Sequence, residues 1–90
     1  MYLHLGQSVV VTEASIIGIF DLDNTTGSHI TRKFLEGAER AGLVVSVSEE
    51  LPRSFIVCGE ASGAGPAMRV YLSQLTALTL MKRSEAMRFD

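Results

Sequence analysis

The chain has 90 residues, 47 % of them hydrophobic, and eight Lys/Arg against ten Asp/Glu give a formal charge of −2. That length predicts one domain over residues 1–90, with a core that is marginal unless a staple or a partner completes it. The single cysteine excludes an internal disulfide and a Cys/His zinc cluster. No apolar run reaches the ~18 residues of a membrane span, and the charge balance excludes a strongly basic monomeric nucleic-acid binder.

Tyr2-Leu3-His4-Leu5 alternates and predicts a half-buried strand with Leu3 and Leu5 inward. Gly6-Gln7-Ser8 reads as a turn, and Val9-Val10-Val11 as a short strand buried on both faces. Thr12 is placed to cap one helical turn over Glu13-Ala14-Ser15. Ile16 to Leu22 then forms a strand in which Gly18 marks a bulge. Asp23 to Ser28 is loop, rich in residues that bond their own backbone. A helix is expected from about Ile30 to Ala41, with Ser28 as N-cap and Ile30, Phe34, Leu35, Ala38 and Ala41 as its apolar face. Gly42 suits a left-handed C-cap, and Glu36–Arg40 has the favourable i,i+4 order.

Leu43–Val47 and Arg53–Cys58 read as strands, joined by the turn Ser48-Glu49-Glu50-Leu51-Pro52. Gly59 to Ala67 is expected to be a long flexible hairpin loop, and Met68 to Leu72 the last strand. Ser73 is an N-cap candidate for a C-terminal helix from about Gln74 to Arg83 or beyond, with Leu75, Leu78 and Met81 or Lys82 at helical spacing. Lys82, Arg83 and Arg88 then lie near its end, where the dipole favours cations.

The apolar content and a mean hydropathy of +0.25 exceed what so small a core can absorb, which predicts self-association. Charge is uneven: residues 1–60 hold four Lys/Arg and eight Asp/Glu, residues 61–90 four and two. A lone cysteine, with no charged n-region or cleavage site ahead of the first strand, predicts a cytoplasmic protein without a leader. Cys58, inside the run Phe55-Ile56-Val57-Cys58, reads as a small buried hydrophobe.

No catalytic constellation stands out, and the chain reads as a non-enzyme without a cofactor motif. His4 and His29 are far apart, one on a strand and one at a helix start. The segment Phe20-Asp21-Leu22-Asp23-Asn24-Thr25-Thr26 is similar to the nucleophile motif of haloacid-dehalogenase phosphatases, but that chemistry needs a Rossmann-like scaffold that 90 residues with one central helix do not supply. Gly59, Gly63 and Gly65 lack the Lys-Ser/Thr of a phosphate loop and read as a hairpin tip. Tyr2 and Tyr71 are strand residues suited to core or subunit contact. Arg53 and Arg69, each at a strand start, and the pair Lys82-Arg83 are the candidate DNA-binding residues, able to form a basic surface once subunits associate.

Six segments taken together resemble the bacterial extracellular matrix regulatory family, RemA and RemB, with RemB the nearer in pattern. They are Met1-Tyr2-Leu3-His4-Leu5-Gly6, Val9-Val10-Val11-Thr12, Ile16-Ile17-Gly18-Ile19-Phe20-Asp21, Leu51-Pro52-Arg53-Ser54-Phe55-Ile56-Val57, Val70-Tyr71-Leu72-Ser73 and Leu80-Met81-Lys82-Arg83. The resemblance implies a small cytoplasmic α+β domain, somewhat like the LytTR DNA-binding domain. It also implies closed rings of identical subunits that present arginines repeatedly to duplex DNA and regulate biofilm-matrix operons. Repetition of a weak site supplies avidity that one copy lacks. The loop where RemA proteins carry a run of arginines reads Glu49-Glu50-Leu51-Pro52-Arg53 here, so Arg53 alone is carried over. The expectation is therefore a small antiparallel α+β domain with a central and a C-terminal helix. It acts as a ring-forming DNA-binding regulator, or else as a non-DNA-binding scaffold of the same fold.

Overall fold

A computed structural model describes residues 2–22, 29–62 and 65–87. Its elements are β1 (Tyr2–Gly6), β2 (Val9–Thr12), a single 3-10 turn (Glu13–Ser15), β3 (Ile16–Asp21), α1 (His29–Arg40), β4 (Val44–Ser46), β5 (Ser54–Ser62), β6 (Gly65–Ser73) and α2 (Ala77–Met87). β1 and β2 form a two-stranded hairpin, and the remaining strands form a four-stranded sheet ordered β3-β5-β6-β4. The pairs are antiparallel except β4–β6, which is parallel. The protein is an α+β domain of small, mainly antiparallel sheets with two helices.

The sheet separates two cores, because successive strand residues point to opposite faces. One face carries Ile56, Cys58, Ile19 and Tyr71, covered by Leu3, Leu5 and Val11 of the hairpin and by Leu80 of α2. The other carries Phe55, Val57, Val70 and Leu72, covered by Leu35 and Ala38 of α1 together with Leu22. The three layers give a slab of 38 × 35 × 22 Å. The Cys58 thiol is buried, as its apolar run predicts.

Alternation places Leu3 and Leu5 inside and Tyr2 and His4 outside, as expected for β1. The hairpin turns through Gly6 at φ +122° and Gln7 at φ +49°. A Cβ on Gly6 would also stand 2.8 Å from the Gln74 amide, so this glycine serves both turn and close approach. The bulge expected at Gly18 is present as a register shift between Ile16 and Gly18. α1 ends in a Schellman motif: Leu43 N donates to the Ala38 carbonyl and Gly42 N to the Glu39 carbonyl, each at 3.0 Å, around Gly42 at φ +73°. Glu36 and Arg40 meet at 3.9 Å on the solvent side.

Several expectations are corrected. Val10 pairs with His4 and is exposed with it, so β2 is buried on one face only. Thr12 occupies the cap position of the 3-10 turn, but its side chain makes no capping bond; the Ser15 hydroxyl donates instead to the Thr12 carbonyl at 2.7 Å. The stretch from Gly59 to Ala67 is mostly strand, since β5 and β6 stay paired out to Ser62–Gly65. Arg69 accordingly lies inside β6, and Arg53 immediately precedes β5. The C-terminal helix starts at Ala77, capped by Thr76, whose Oγ1 accepts from Thr79 N at 3.1 Å. Ser73 instead ends β6. Because α2 runs on to Met87, Lys82 and Arg83 fall in its middle and not at its C-terminal dipole. Ala77 and Leu80 form its buried face, while Leu78 and Met81 are exposed and Leu75 packs into the core ahead of it. In α1, Ile30 is exposed and Phe34 only partly covered, and Ala41 lies exposed just beyond the helix end at Arg40. The expected loop Asp23–Ser28, the cap Ser28, the tip residues Gly63 and Ala64, and Arg88 lie outside the described residues.

Candidate self-assembly and nucleic-acid surfaces

The four candidate basic residues are exposed but do not converge within one subunit. Arg53 is held by its backbone: its N–H donates to the Ser73 carbonyl at 2.8 Å and its carbonyl accepts from Leu22 N at 3.0 Å. Two neighbouring strands thus fix where this side chain leaves the sheet end. Arg69 is the cross-strand partner of Cys58 and so lies on the hairpin-covered face. It stands four residues back from Ser73, roughly 13 Å along the strand from Arg53. Lys82 and Arg83 project from α2, and Arg83 Nη1 donates to the His4 carbonyl at 3.4 Å. The basic groups are spread over the sheet end, one sheet face and the C-terminal helix. Glu49 and Glu50, both exposed, precede Arg53 in a turn fixed by the Glu50 N–H donating to Ser48 Oγ at 3.0 Å.

The apolar surface is far more concentrated. One helix does not cover a four-stranded face, and sheet side chains emerge on both flanks of α1. On the β3 flank an open groove of about 320 Å³ is lined by Ile17, Phe20, Ile30, Thr31, Phe34, Phe55 and Val57. Ile30 is 80 % exposed, Ile17 69 %, Phe20 41 % and Phe34 37 %. The wall is ordered by aromatic packing: Phe20 stacks on Phe55 with centroids 4.9 Å apart, and Phe34 tilts onto Phe55 at 6.3 Å. Two glycines make room for it. A Cβ on Gly18 would stand 2.7 Å from the Phe20 ring, and one on Gly59 would stand 2.9 Å from Ile17 Cδ1. On the β4 flank Leu51, 85 % exposed, rises beside Leu22, Leu35, Glu39, Val44, Pro52 and Leu72.

Reading the sequence alone missed this groove because it assigned Ile30 and Phe34 to the core. The signal was there: Ile30 to Leu35 spans about 140° of helical arc at 100° per residue, wider than the stripe one sheet face absorbs. Among the described residues no cluster of three His, Cys, Asp or Glu is arranged to hold a metal ion, and no helix is long and apolar enough to cross a membrane.

The chain is 34 % identical over 87 residues to extracellular matrix regulatory protein B of Bacillus subtilis (strain 168), a match covering 97 % of this chain and 94 % of that protein. The chain belongs to the extracellular matrix regulatory protein family, RemA/RemB, on the RemB side. No family model matches it. The alignment runs nearly end to end, so both the basic positions and the apolar groove lie on a scaffold shared with that relative.

Proposed function

We propose that this protein is a cytoplasmic bacterial regulator of extracellular-matrix (biofilm) genes that acts as a ring-shaped homo-oligomer on duplex DNA. The observation that carries the regulatory part is the near full-length match to a protein named for extracellular matrix regulation. Self-assembly is supported by the apolar groove beside α1, whose exposed Ile17, Phe20 and Ile30 belong under a cover. In this reading each subunit offers Arg53, at a position its backbone bonds fix, together with Arg69, Lys82 and Arg83. Repetition around the ring then converts a weak site into useful affinity. The contacts are to phosphates, so they position the protein and read little base sequence.

A second reading has one observation in its favour. Glu49 and Glu50 stand beside Arg53 and repel phosphate, which suits a scaffold of the same fold that does not touch DNA. A gel shift with duplex DNA at two salt concentrations, using wild type and Arg53→Ala, separates the two. The DNA reading expects binding that weakens with salt and falls on Arg53→Ala. No shift at low salt leaves the scaffold, and a shift indifferent to Arg53→Ala removes that residue from the site.

A further inference from the structure

The two flanks of α1 differ in shape and in charge, and the differences match. The β3 flank is a hollow walled by Ile17, Phe20, Ile30 and Phe34. The β4 flank carries a projection, Leu51, which follows Glu49 and Glu50 directly in sequence. We propose that Leu51 of one copy inserts into the groove of the next copy, with Glu49 and Glu50 of the first facing Lys33 of the second. This contact rests on the self-assembly reading above and specifies the surfaces that carry it.

Three observations support a second copy as the occupant. The first is charge. On a helix of 100° per residue Lys33 falls beside Ile30, on the groove side of α1, whereas Glu39 lines the opposite flank with Leu51. Lys33 thus borders the groove, while the Leu51 flank carries Glu39, Glu49 and Glu50 against Arg32 and Arg53, so a lysine on one flank meets a net acidic surface on the other.

The second is Gly37. It follows Ile30 and Phe34 at i, i+4 and i+7, on the rail of α1 that borders the groove. A Cβ there would meet nothing within 4 Å. The fold of one subunit therefore gives no reason for a helix-interior glycine, which is the least favourable residue there after proline. Close approach of another chain along that rail does give one.

The third is placement. The groove sits over β3 and β5 on one side of α1, and Leu51 stands on the other side of the helix with Leu35, Val44 and Leu72. A contact between two different surfaces is head-to-tail, and such contacts close into rings or extend as filaments.

The test uses Leu51→Asp, which removes the projection, and Gly37→Glu, which blocks the groove rail and reverses its charge. Solution mass is measured by sedimentation at micromolar concentration. Wild type is expected as an oligomer and each variant as a monomer. Gly37→Glu is expected to melt cooperatively and no lower than the equally monomeric Leu51→Asp, which separates lost assembly from lost folding. An equimolar mixture of the variants is expected to form a dimer and nothing larger, because one intact groove meets one intact Leu51. A wild-type oligomer that survives either substitution overturns this contact and leaves self-assembly standing. Monomeric variants whose mixture stays monomeric overturn the head-to-tail assignment, and a Leu51→Asp variant that still pairs while Gly37→Glu does not overturns it in favour of a symmetric groove-to-groove pair. A monomeric wild type overturns the self-assembly reading itself.

Discussion

The Ser73 hydroxyl donates to the Leu5 carbonyl at 2.6 Å, joining the end of β6 to the N-terminal hairpin across 68 residues of sequence. Both residues are fully buried, and the same hydroxyl accepts from Leu75 N at 3.1 Å. Its cross-strand partner Ser54 donates to the Leu75 carbonyl at 2.7 Å. Two small hydroxyls thus tie the hairpin, the sheet and the lead-in to α2 at one point. Ser73→Ala leaves a buried carbonyl without this donor and is expected to cost about 1–3 kcal/mol. Urea denaturation checks it: the midpoint falls while the slope stays constant. Because Ser54 and Ser73 both bond Leu75, the double alanine variant is expected to differ from the sum of the singles by at least about 0.5 kcal/mol.

Two glycines near the C-terminal half of α1 are expected to respond with opposite signs. Gly42 holds φ +73° in the Schellman motif, so Gly42→Ala forces an L side chain into the left-handed region and destabilises by about 1 kcal/mol. Gly37 is helical with open space where a Cβ would go. In the monomeric Leu51→Asp background, where no second chain approaches that rail, Gly37→Ala is expected to stabilise by about 0.5–1 kcal/mol. Thermal melts of both variants at one protein concentration test the pair, and a shared sign contradicts the account.

In α2 the structure separates two leucines two residues apart. Leu80 is fully buried among Leu3, Leu5 and Ile56, whereas Leu78 faces outward. Leu80→Ala is expected to cost about 2–5 kcal/mol through lost transfer energy and a cavity. Leu78→Ala is expected to stay within about 0.5 kcal/mol. Equal effects in denaturant titrations would place the helix a part-turn away from its position here.

Much of this fold was legible in local patterns. Leu3/Leu5 alternation, the bulge at Gly18, the C-cap at Gly42 and the Glu36–Arg40 pair all depend on residues within a few positions of one another. What failed depended on tertiary partners. Gly59 to Ala67 looks like a loop by composition, but long pairing of β5 with β6 overrides weak strand propensity there. Ser73 looks like a cap, but it ends β6, its hydroxyl donates to Leu5 far away in sequence, and the helix starts only behind Thr76. Ile30 and Phe34 look like core because periodicity reports an apolar face without reporting how much of it the sheet can cover. The candidate basic residues were legible as residue types, but their dispersal was not. It follows from Arg53 lying at the sheet end, Arg69 inside β6 and Arg83 bonding to His4.

The backbone bonds at Arg53 allow its side chain to be tested separately from its structural place. Its N–H and carbonyl are held by Ser73 and Leu22, and neither bond involves the guanidinium. Arg53→Gln is therefore expected to change stability by no more than about 1 kcal/mol, the range of an exposed charged side chain. Its effect on DNA binding is expected to be larger, because each subunit of an oligomer loses the same contact at once. The logarithm of affinity against the logarithm of salt falls with a slope of about −0.9 per phosphate neutralised on duplex DNA. If n copies of Arg53 touch phosphate together, the variant slope is shallower by about 0.9n, so the difference counts the engaged copies. Titrations at four or five salt concentrations measure it. A slope change near 0.9 signifies one engaged copy, a change of several units signifies repeated contact, and an unchanged slope with reduced affinity means that Arg53 acts on something other than phosphate.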